Sequence, residues 1–353
     1  MNNINLQSIK HESIRGIFQT ITEADKISRA EIAGKTGLSL VTVGKIADAL
    51  LDMDILTQEK EIRPQAGRRA GILRVNPALY AVILDLTSAD FRYTVMNLRL
   101  QPIETGSYRY RSELTYDENL TAFLTETAVG TARKYGEDSC FGLGLSVPGP
   151  YHGSTDTVST CRVPELRLIH LRETAERCFA RSPLIIDSQI NAAARSSVSH
   201  IDGYRQKNIV YWHISPSLLC GATLMNGELI LGRDNNPCDF GRMLYSYGLT
   251  LEEKVALCKN EEECAEALSG PIHNVLKILN PHAMVMEHDL PYPCEDMISL
   301  IEKQLISRYG MSSDEVPDIL SAPYNNHNAA IGLTLSLRDS WLDRMVFGPS
   351  ERQ

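Results

Sequence analysis

Hydroxyl and cationic side chains gather in the first 76 residues, where a chain can offer donors and positive charge to a polyanion. Ser28, Arg29, Ser39, Thr42 and Lys45 fall in one run, with Leu40 among them, and Arg63, Arg68 and Arg69 follow in the next. Side chains of these types hold a protein on phosphates and read base edges. The run from Ser28 to Asp52 is predicted to carry them as a helix-turn-helix. Ser28 and Glu31 have the S-x-x-E spacing of a capping box, and Ile27 and Ile32 flank it as a hydrophobic staple would. Gly37 is free to take the positive φ that ends a helix. Ser39 then caps a second helix, in which Val43, Ile46, Ala47 and Leu50 recur at helical spacing. With that face turned inward, Leu40, Thr42 and Lys45 stand at an exposed N-terminal end, as in a DNA-reading helix.

The flanks extend the reading to a winged helix. Ile14, Ile17, Phe18 and Ile21 mark one face of a preceding helix. Ile55-Leu56-Thr57 and Ile72-Leu73-Arg74-Val75 read as short strands around a loop over 59–71. The loop carries Arg63, Arg68 and Arg69 near Pro64, Gly67 and Gly71, which suits phosphate contact or entry into a narrow minor groove. Asn76-Pro77 closes the module, so residues 1–76 form one domain and 77–353 a larger body.

Charge is divided the same way. The chain carries a formal net charge of −9, yet residues 1–75 hold 11 Lys/Arg against 9 Asp/Glu, leaving 24 against 35 for the rest. An acidic body repels DNA, so contact is confined to the N-terminal module. Eight cysteines are scattered with no C-x-x-C spacing, which is neither a disulfide scaffold nor a zinc ribbon. No apolar run reaches the roughly 18 residues that span a bilayer, so no membrane partner is expected and the expected location is the cytoplasm.

In the body, strands are predicted over 81–86, 91–97, 103–110, 141–147, 184–187, 209–214 and 283–287, with helices over about 117–135 and 191–198. Residues 219–225 and 228–231 read as a hairpin turning at Asn226-Gly227. Strands in runs mixed with helices indicate a two-lobed α/β body.

Taken in order, these motifs resemble the ROK proteins (repressors, open reading frames and sugar kinases). The markers are Ile27-Ser28-Arg29-Ala30-Glu31-Ile32-Ala33 and Gly67-Arg68-Arg69. In the body they are Gly142-Leu-Gly-Leu-Ser-Val-Pro-Gly-Pro150, Asn191-Ala-Ala-Ala194, Asn226-Gly-Glu-Leu-Ile-Leu-Gly232, Asp239-Phe-Gly241 and Asn280-Pro281. The resemblance implies a winged helix-turn-helix joined to an actin-like, ribonuclease H-like, sugar-kinase-like body, with the 148–150 turn in the interlobe cleft. It further implies a homodimer or dimer of dimers on a double-stranded operator, and a sugar, sugar phosphate or sugar acid as effector.

The departures from the family pattern bear on activity. Kinases of the family have Asp-x-Gly-Gly-Thr on the first strand, whereas Asp85 is followed by Leu86-Thr87-Ser88, whose side chains are expected to occupy the phosphate approach. The family's catalytic Asn-Asp-x-Asn is matched by Ser188-Gln189-Ile190-Asn191, and an amide has no useful basicity. Only a register shift would bring Asp187 to that position. The zinc-lending Glu-x-Gly-His becomes Asp239-Phe-Gly-Arg242, and the following 245–252 segment has no cysteine, so neither metal nor cofactor is expected. Glu287-His288 replaces the glycine pair that packs an adenine. The expectation is a DNA-binding repressor of carbohydrate-utilisation genes and no enzyme, with Ser188, Gln189, Asp239 and Arg242 as candidate effector residues. The alternatives are a sugar kinase with an added DNA-binding arm, or a regulator whose body is only a dimerisation or protein-docking scaffold. Arg242 either meets an anionic group of the effector or pairs with Asp239.

Overall fold

The computed structural model describes residues 11–60, 71–87, 90–159, 163–179, 183–216, 218–236, 238–323 and 327–348. The N-terminal module runs α1 (His11–Ala24), β1 (Ile27–Ser28), α2 (Arg29–Thr36), α3 (Leu40–Asp52), β2 (Leu56–Lys60) and β3 (Gly71–Val75). Its three strands form an antiparallel sheet in the order β1-β3-β2, with Ile27 opposite Leu73 and Leu56 opposite Val75. Strand β1 is an addition to the predicted pattern, since two residues carry no periodicity. Ile14, Ile17, Phe18 and Ile21 are buried as their spacing requires, against Ile32, Val43, Ile46 and Leu50.

The first lobe is a five-stranded sheet in the order β10-β7-β4-β5-β6. Its strands are β4 (Tyr80–Asp85), β5 (Phe91–Asn97), β6 (Pro102–Tyr108), β7 (Cys140–Val147) and β10 (Leu184–Ser188). Side chains alternate across β4 as in any strand. Tyr80, Val82 and Leu84 pack towards α4 (Tyr116–Tyr135) and α5 (Leu171–Cys178), while Ala81 and Ile83 face the C-terminal helix α10 (Asn328–Phe347). A small hairpin, β8 (Tyr151–His152) with β9 (Thr157–Val158), follows the 148–150 turn.

The second lobe is a sheet in the order β13-β12-β11-β16-β17. It is built from β11 (Ile209–Ser215), β12 (Leu218–Met225), β13 (Glu228–Leu229), β16 (Ala283–His288) and β17 (Asp318–Ser321). Asn226 and Gly227, at φ 51° and 75°, make the predicted hairpin turn. A hairpin of β14 (Leu244–Ser246) with β15 (Leu249–Thr250) leads into α7 (Leu251–Ala256), and α8 (Glu261–Leu279) and α9 (Cys294–Ser307) cover one face of the sheet. On the other face lies α6 (Gln189–Val198).

Helices α6 and α10 stand between the two sheets and touch closely. A Cβ on Gly332 would lie 1.8 Å from the Ala192 carbonyl oxygen, so only glycine allows this approach. The same α10 carries the N-terminal module. Arg15 pairs with Asp343 at 2.5 Å, and the His11 ring stacks on Phe347 with centroids 3.5 Å apart. Arg338, 8% exposed, donates to the Leu98 carbonyl at 3.0 Å and lies over the Phe18 ring. Module, first lobe and α10 therefore share one apolar core. Among the described residues no helix is long and apolar enough to cross a membrane.

Candidate nucleic-acid interface and interlobe cleft

Two local signals set the helices of the N-terminal module. The Ser28 backbone N–H donates to Glu31 Oε2 at 2.8 Å and the Glu31 N–H to Ser28 Oγ at 3.3 Å, closing the capping box. Gly37 ends α2 at φ 70°. Ser39 Oγ then accepts from the Thr42 N–H at 3.1 Å and meets its hydroxyl at 2.9 Å, starting α3. Because Val43, Ile46, Ala47 and Leu50 turn into the core, Leu40, Val41 and Lys45 face solvent, Leu40 and Val41 at 57% and 69% exposure. A side chain at Gly44 would point into open space.

The predicted residues divide by their bonds. Ser39, Leu40, Thr42 and Lys45 lie together on the first turns of α3. Ser28 is committed to its cap, and the Arg29 guanidinium is held by Asp48 at 2.5 Å and Gln58 at 3.3 Å. Arg63, Arg68 and Arg69 lie outside the described residues. At the base of their loop Glu59 accepts from Lys26 at 2.7 Å and Arg74 at 3.1 Å, and these bonds hold its carboxyl below the usual range. Val41 was missed because it belongs to neither the apolar face nor the polar set.

Between the lobes, two adjoining cavities of 460 and 190 Å³ share Asp85, Arg92, Gln189 and Ala329 as walls. Asp85 ends β4 on the α10 side, and its Oδ1 accepts from the Thr87 N–H at 2.9 Å and the Thr87 hydroxyl at 2.5 Å. Strand alternation sends Leu86 the other way, fully into the first lobe's core. The expectation that Leu86 fills the phosphate approach is therefore corrected. Thr87 stands there, and Ser88 lies outside the described residues. Ser146, the register partner of Asp85 on β7, adds a buried hydroxyl without a hydrogen-bond partner.

Deeper in the cleft Glu287, 2% exposed, accepts from Tyr211 Oη at 2.8 Å and Asn328 Nδ2 at 3.0 Å, with His213 Nδ1 at 3.6 Å. Parallel pairing of β11 with β16 sets Glu287 beside His213. A buried carboxylate persists only when its acceptor sites are used, and this one is ringed by donors. The signal in the sequence was a glutamate ending the apolar run Ala283-Met-Val-Met, a polar residue where a buried strand continues.

Of the four candidate effector residues only Gln189 lines the cavities. The Ser188 hydroxyl is the N-cap of α6 and accepts from the Asn191 N–H at 3.2 Å. Asp239 and Arg242 flank a 3-10 turn whose Phe240 stacks on Trp212 at 4.1 Å. Both are exposed, they form no ion pair with each other, and neither lines the cleft cavities. The proximity of the two in sequence does not become a salt bridge because the turn points them apart from the cavity and leaves each in water. Asp187 does not reach the Gln189 position either. Its Oδ1 accepts from Asn191 Nδ2 at 2.9 Å, and it faces a separate cavity. Elsewhere Asn235 Nδ2, on the second lobe, donates to the Tyr151 carbonyl on the first at 2.7 Å. Cys238 lies against the Thr223 hydroxyl at 3.2 Å, and among the described residues no cluster of His, Cys, Asp and Glu is gathered around a metal-sized point.

No family model matches the chain, and no curated protein matches it in sequence. Solved structures do match in fold. A ROK family transcriptional regulator, a homologue of the E. coli MLC protein, superposes with a TM-score of 0.70 at 14% identity, over 96% of this chain and 99% of its own. A ROK family protein from Streptococcus pneumoniae, solved with sucrose, gives 0.59 at 16% over 75% and 99%. The ROK hexokinase from Thermus thermophilus gives 0.58 at 17% over 73% and 97%. The chain thus has the two-lobed actin-like fold of ROK regulators and kinases.

Proposed function

We propose that this chain is a ROK transcription regulator that binds duplex DNA through residues 1–76, represses carbohydrate-utilisation genes, and uses residues 77–353 to sense a sugar. The observation that carries the reading is the first two turns of α3. Ser39, Leu40, Val41, Thr42 and Lys45 crowd one exposed end of a capped helix whose other face is core. A helix entering the major groove meets base edges with its N-terminal residues, and exposed Leu40 and Val41 suit thymine methyl groups. Arg63, Arg68 and Arg69 are assigned to phosphates or the minor groove. The whole-chain match to a regulator supports this, since the kinases match about three-quarters of the chain.

Phosphoryl transfer is disfavoured by the cleft. An amide at Gln189 takes no proton from a sugar hydroxyl. Buried Glu287 and the nearby Asp85 put two carboxyl groups against one cation, Arg92, where a polyphosphate would repel both. The same balance favours a neutral sugar over a sugar phosphate or acid, because Arg242, the cation that pointed to an anion, is not at the cavity. Ser146, Gln189 and Asn328 offer the donors and acceptors that hydroxyl groups need. In a homodimer, closure of the lobes on such a ligand would alter the spacing of two α3 helices, which half-sites one helical turn apart cannot follow.

Selection of source-genome fragments by the purified chain tests the reading. The expected result is enrichment of sequences with two-fold symmetry, weakened by neutral hexoses, with no ADP release from ATP and hexose. Recovery of fragments at random, or turnover above blank, would remove it.

A further inference from the structure

A third cavity, of 280 Å³, opens further along α6 and α10, where the N-terminal module meets both lobes. Arg15 of α1, Asp187 of β10, Arg195 of α6, Arg205 after α6, and Asp339 and Asp343 of α10 contribute to its wall. Two of the pairings are closed, Arg15 with Asp343 at 2.5 Å and Arg205 with Asp339 at 2.7 Å. The third is open. Arg195 Nε lies 3.9 Å from Asp187 Oδ2, beyond hydrogen-bond reach.

Three buried polar atoms in this wall have no hydrogen-bond partner: Arg15 Nε, Arg195 Nε and Asp343 Oδ1, the last with His11 Nδ1 3.7 Å away. Buried N–H and carboxylate groups without partners are costly, and the partly exposed remainder of these side chains, with Asp187, gives the cavity a polar wall. Both kinds of group remain, donors on the arginines and acceptors on Asp343 and Asp187. A hydroxyl serves both at once, which neither an anion nor a cation does. The wall's charge points the same way, since three arginines face four carboxyl groups once Glu228 is included. An anion would meet net repulsion. The volume lies just under the roughly 300–1,000 Å³ of small-molecule pockets, which limits the occupant to about one sugar ring.

We infer that this junction is a second ligand site, distinct from the interlobe cleft, for a neutral polyhydroxylated molecule no larger than a monosaccharide. Arg195 and Asp187 hold one hydroxyl between them, and Arg15 with Asp343 hold another. Because Arg15 belongs to the N-terminal module and the other three to the body, occupation ties the two together at a point the cleft does not touch. The inference does not depend on the effector assigned to the cleft.

Calorimetric titration of the full chain with glycerol, xylitol and D-glucose tests it, with three variants. Arg195→Gln removes the open guanidinium. Ser336→Leu, on α10, fills the cavity with a good helix former should the first variant fold poorly. Gln189→Ala alters only the cleft. The expected result is saturable binding of at least one probe, weakened about tenfold or more by Arg195→Gln and by Ser336→Leu. Gln189→Ala should leave that affinity within about twofold. Absence of saturable binding for all three probes, or loss of it in Gln189→Ala, overturns the site and leaves a cavity that holds water.

Discussion

The exposed end of α3 and the interlobe cleft are built on opposite plans. The α3 residues come from one short run, face outward, and leave their polar and apolar groups free of tertiary partners. The cleft residues come from segments as far apart as Asp85, Gln189, Glu287 and Asn328 and face inward, with Glu287 bonded to Asn328 and Tyr211 and Asp85 to Thr87. One surface is ready for a partner, while the other meets most of its own needs. The difference teaches where each can be altered. The exposed end of α3 is tolerant of change because little of the fold rests on it. The cleft is less tolerant because Glu287 ties β16 to β11 and α10.

Substitutions should separate the two plans, most strongly where α6 meets α10. Gly332→Ala would set a Cβ 1.8 Å from a backbone oxygen that cannot swing away. A loss of about 3 kcal/mol or more, or insoluble protein, is expected from urea unfolding. Gly130→Ala on α4, where nothing lies within 4 Å, should instead be neutral or stabilising by up to about 1 kcal/mol. Equal effects at the two glycines would mean that α6 and α10 are not in close contact.

Glu287→Ala should cost about 1–3 kcal/mol, because it removes a buried acceptor shared by the Tyr211 hydroxyl and one Asn328 amide hydrogen. The loss should appear in global unfolding while operator affinity without ligand is kept. A variant with unaltered stability would show the network to be reached by water.

In the module, Ser28→Ala breaks the capping box and should cost about 1 kcal/mol. Hydrogen exchange should speed up across α2 and not across β11 or β16. Spread of the change into the second lobe would contradict a locally determined module.

The smallest effect on the fold belongs to Lys45→Ala, whose side chain is exposed. Stability should hold within about 0.5 kcal/mol. Operator binding should weaken and its salt dependence should flatten by about one unit in log–log slope, as for one lost phosphate contact. Unchanged DNA affinity would take α3 out of the interface.

Much of the module was legible in the chain because its signals act within a few residues. Ser28 with Glu31, Gly37 and Ser39 each satisfy or release backbone groups next to themselves, so their types fix where α2 and α3 begin and end. The spacing of Val43, Ile46 and Leu50 fixes which side of α3 is bare. In the body, runs such as 141–147 and 209–214 identified strands for the same reason. The two-residue strand β1 carried no such signal and exists only because Ile27 pairs with Leu73 across the module.

The site in the body was a matter of tertiary structure. The sequence placed Asp239 and Arg242 three residues apart, but the 3-10 turn between them leaves both exposed and outside the cavities. Leu86 follows Asp85 directly, yet alternation along the chain sends one into the core and the other to the cleft. Asp187 and Gln189, two residues apart, end up in different cavities because a strand gives way to a helix between them. By itself the sequence determined the caps, the helix faces and the strands, since hydrogen bonds and apolar spacing there are local. Which carboxyl groups meet across the cleft, and how α10 joins it to the N-terminal module, only the packed fold decided. Those meetings depend on strand register and on the one close approach that Gly332 permits.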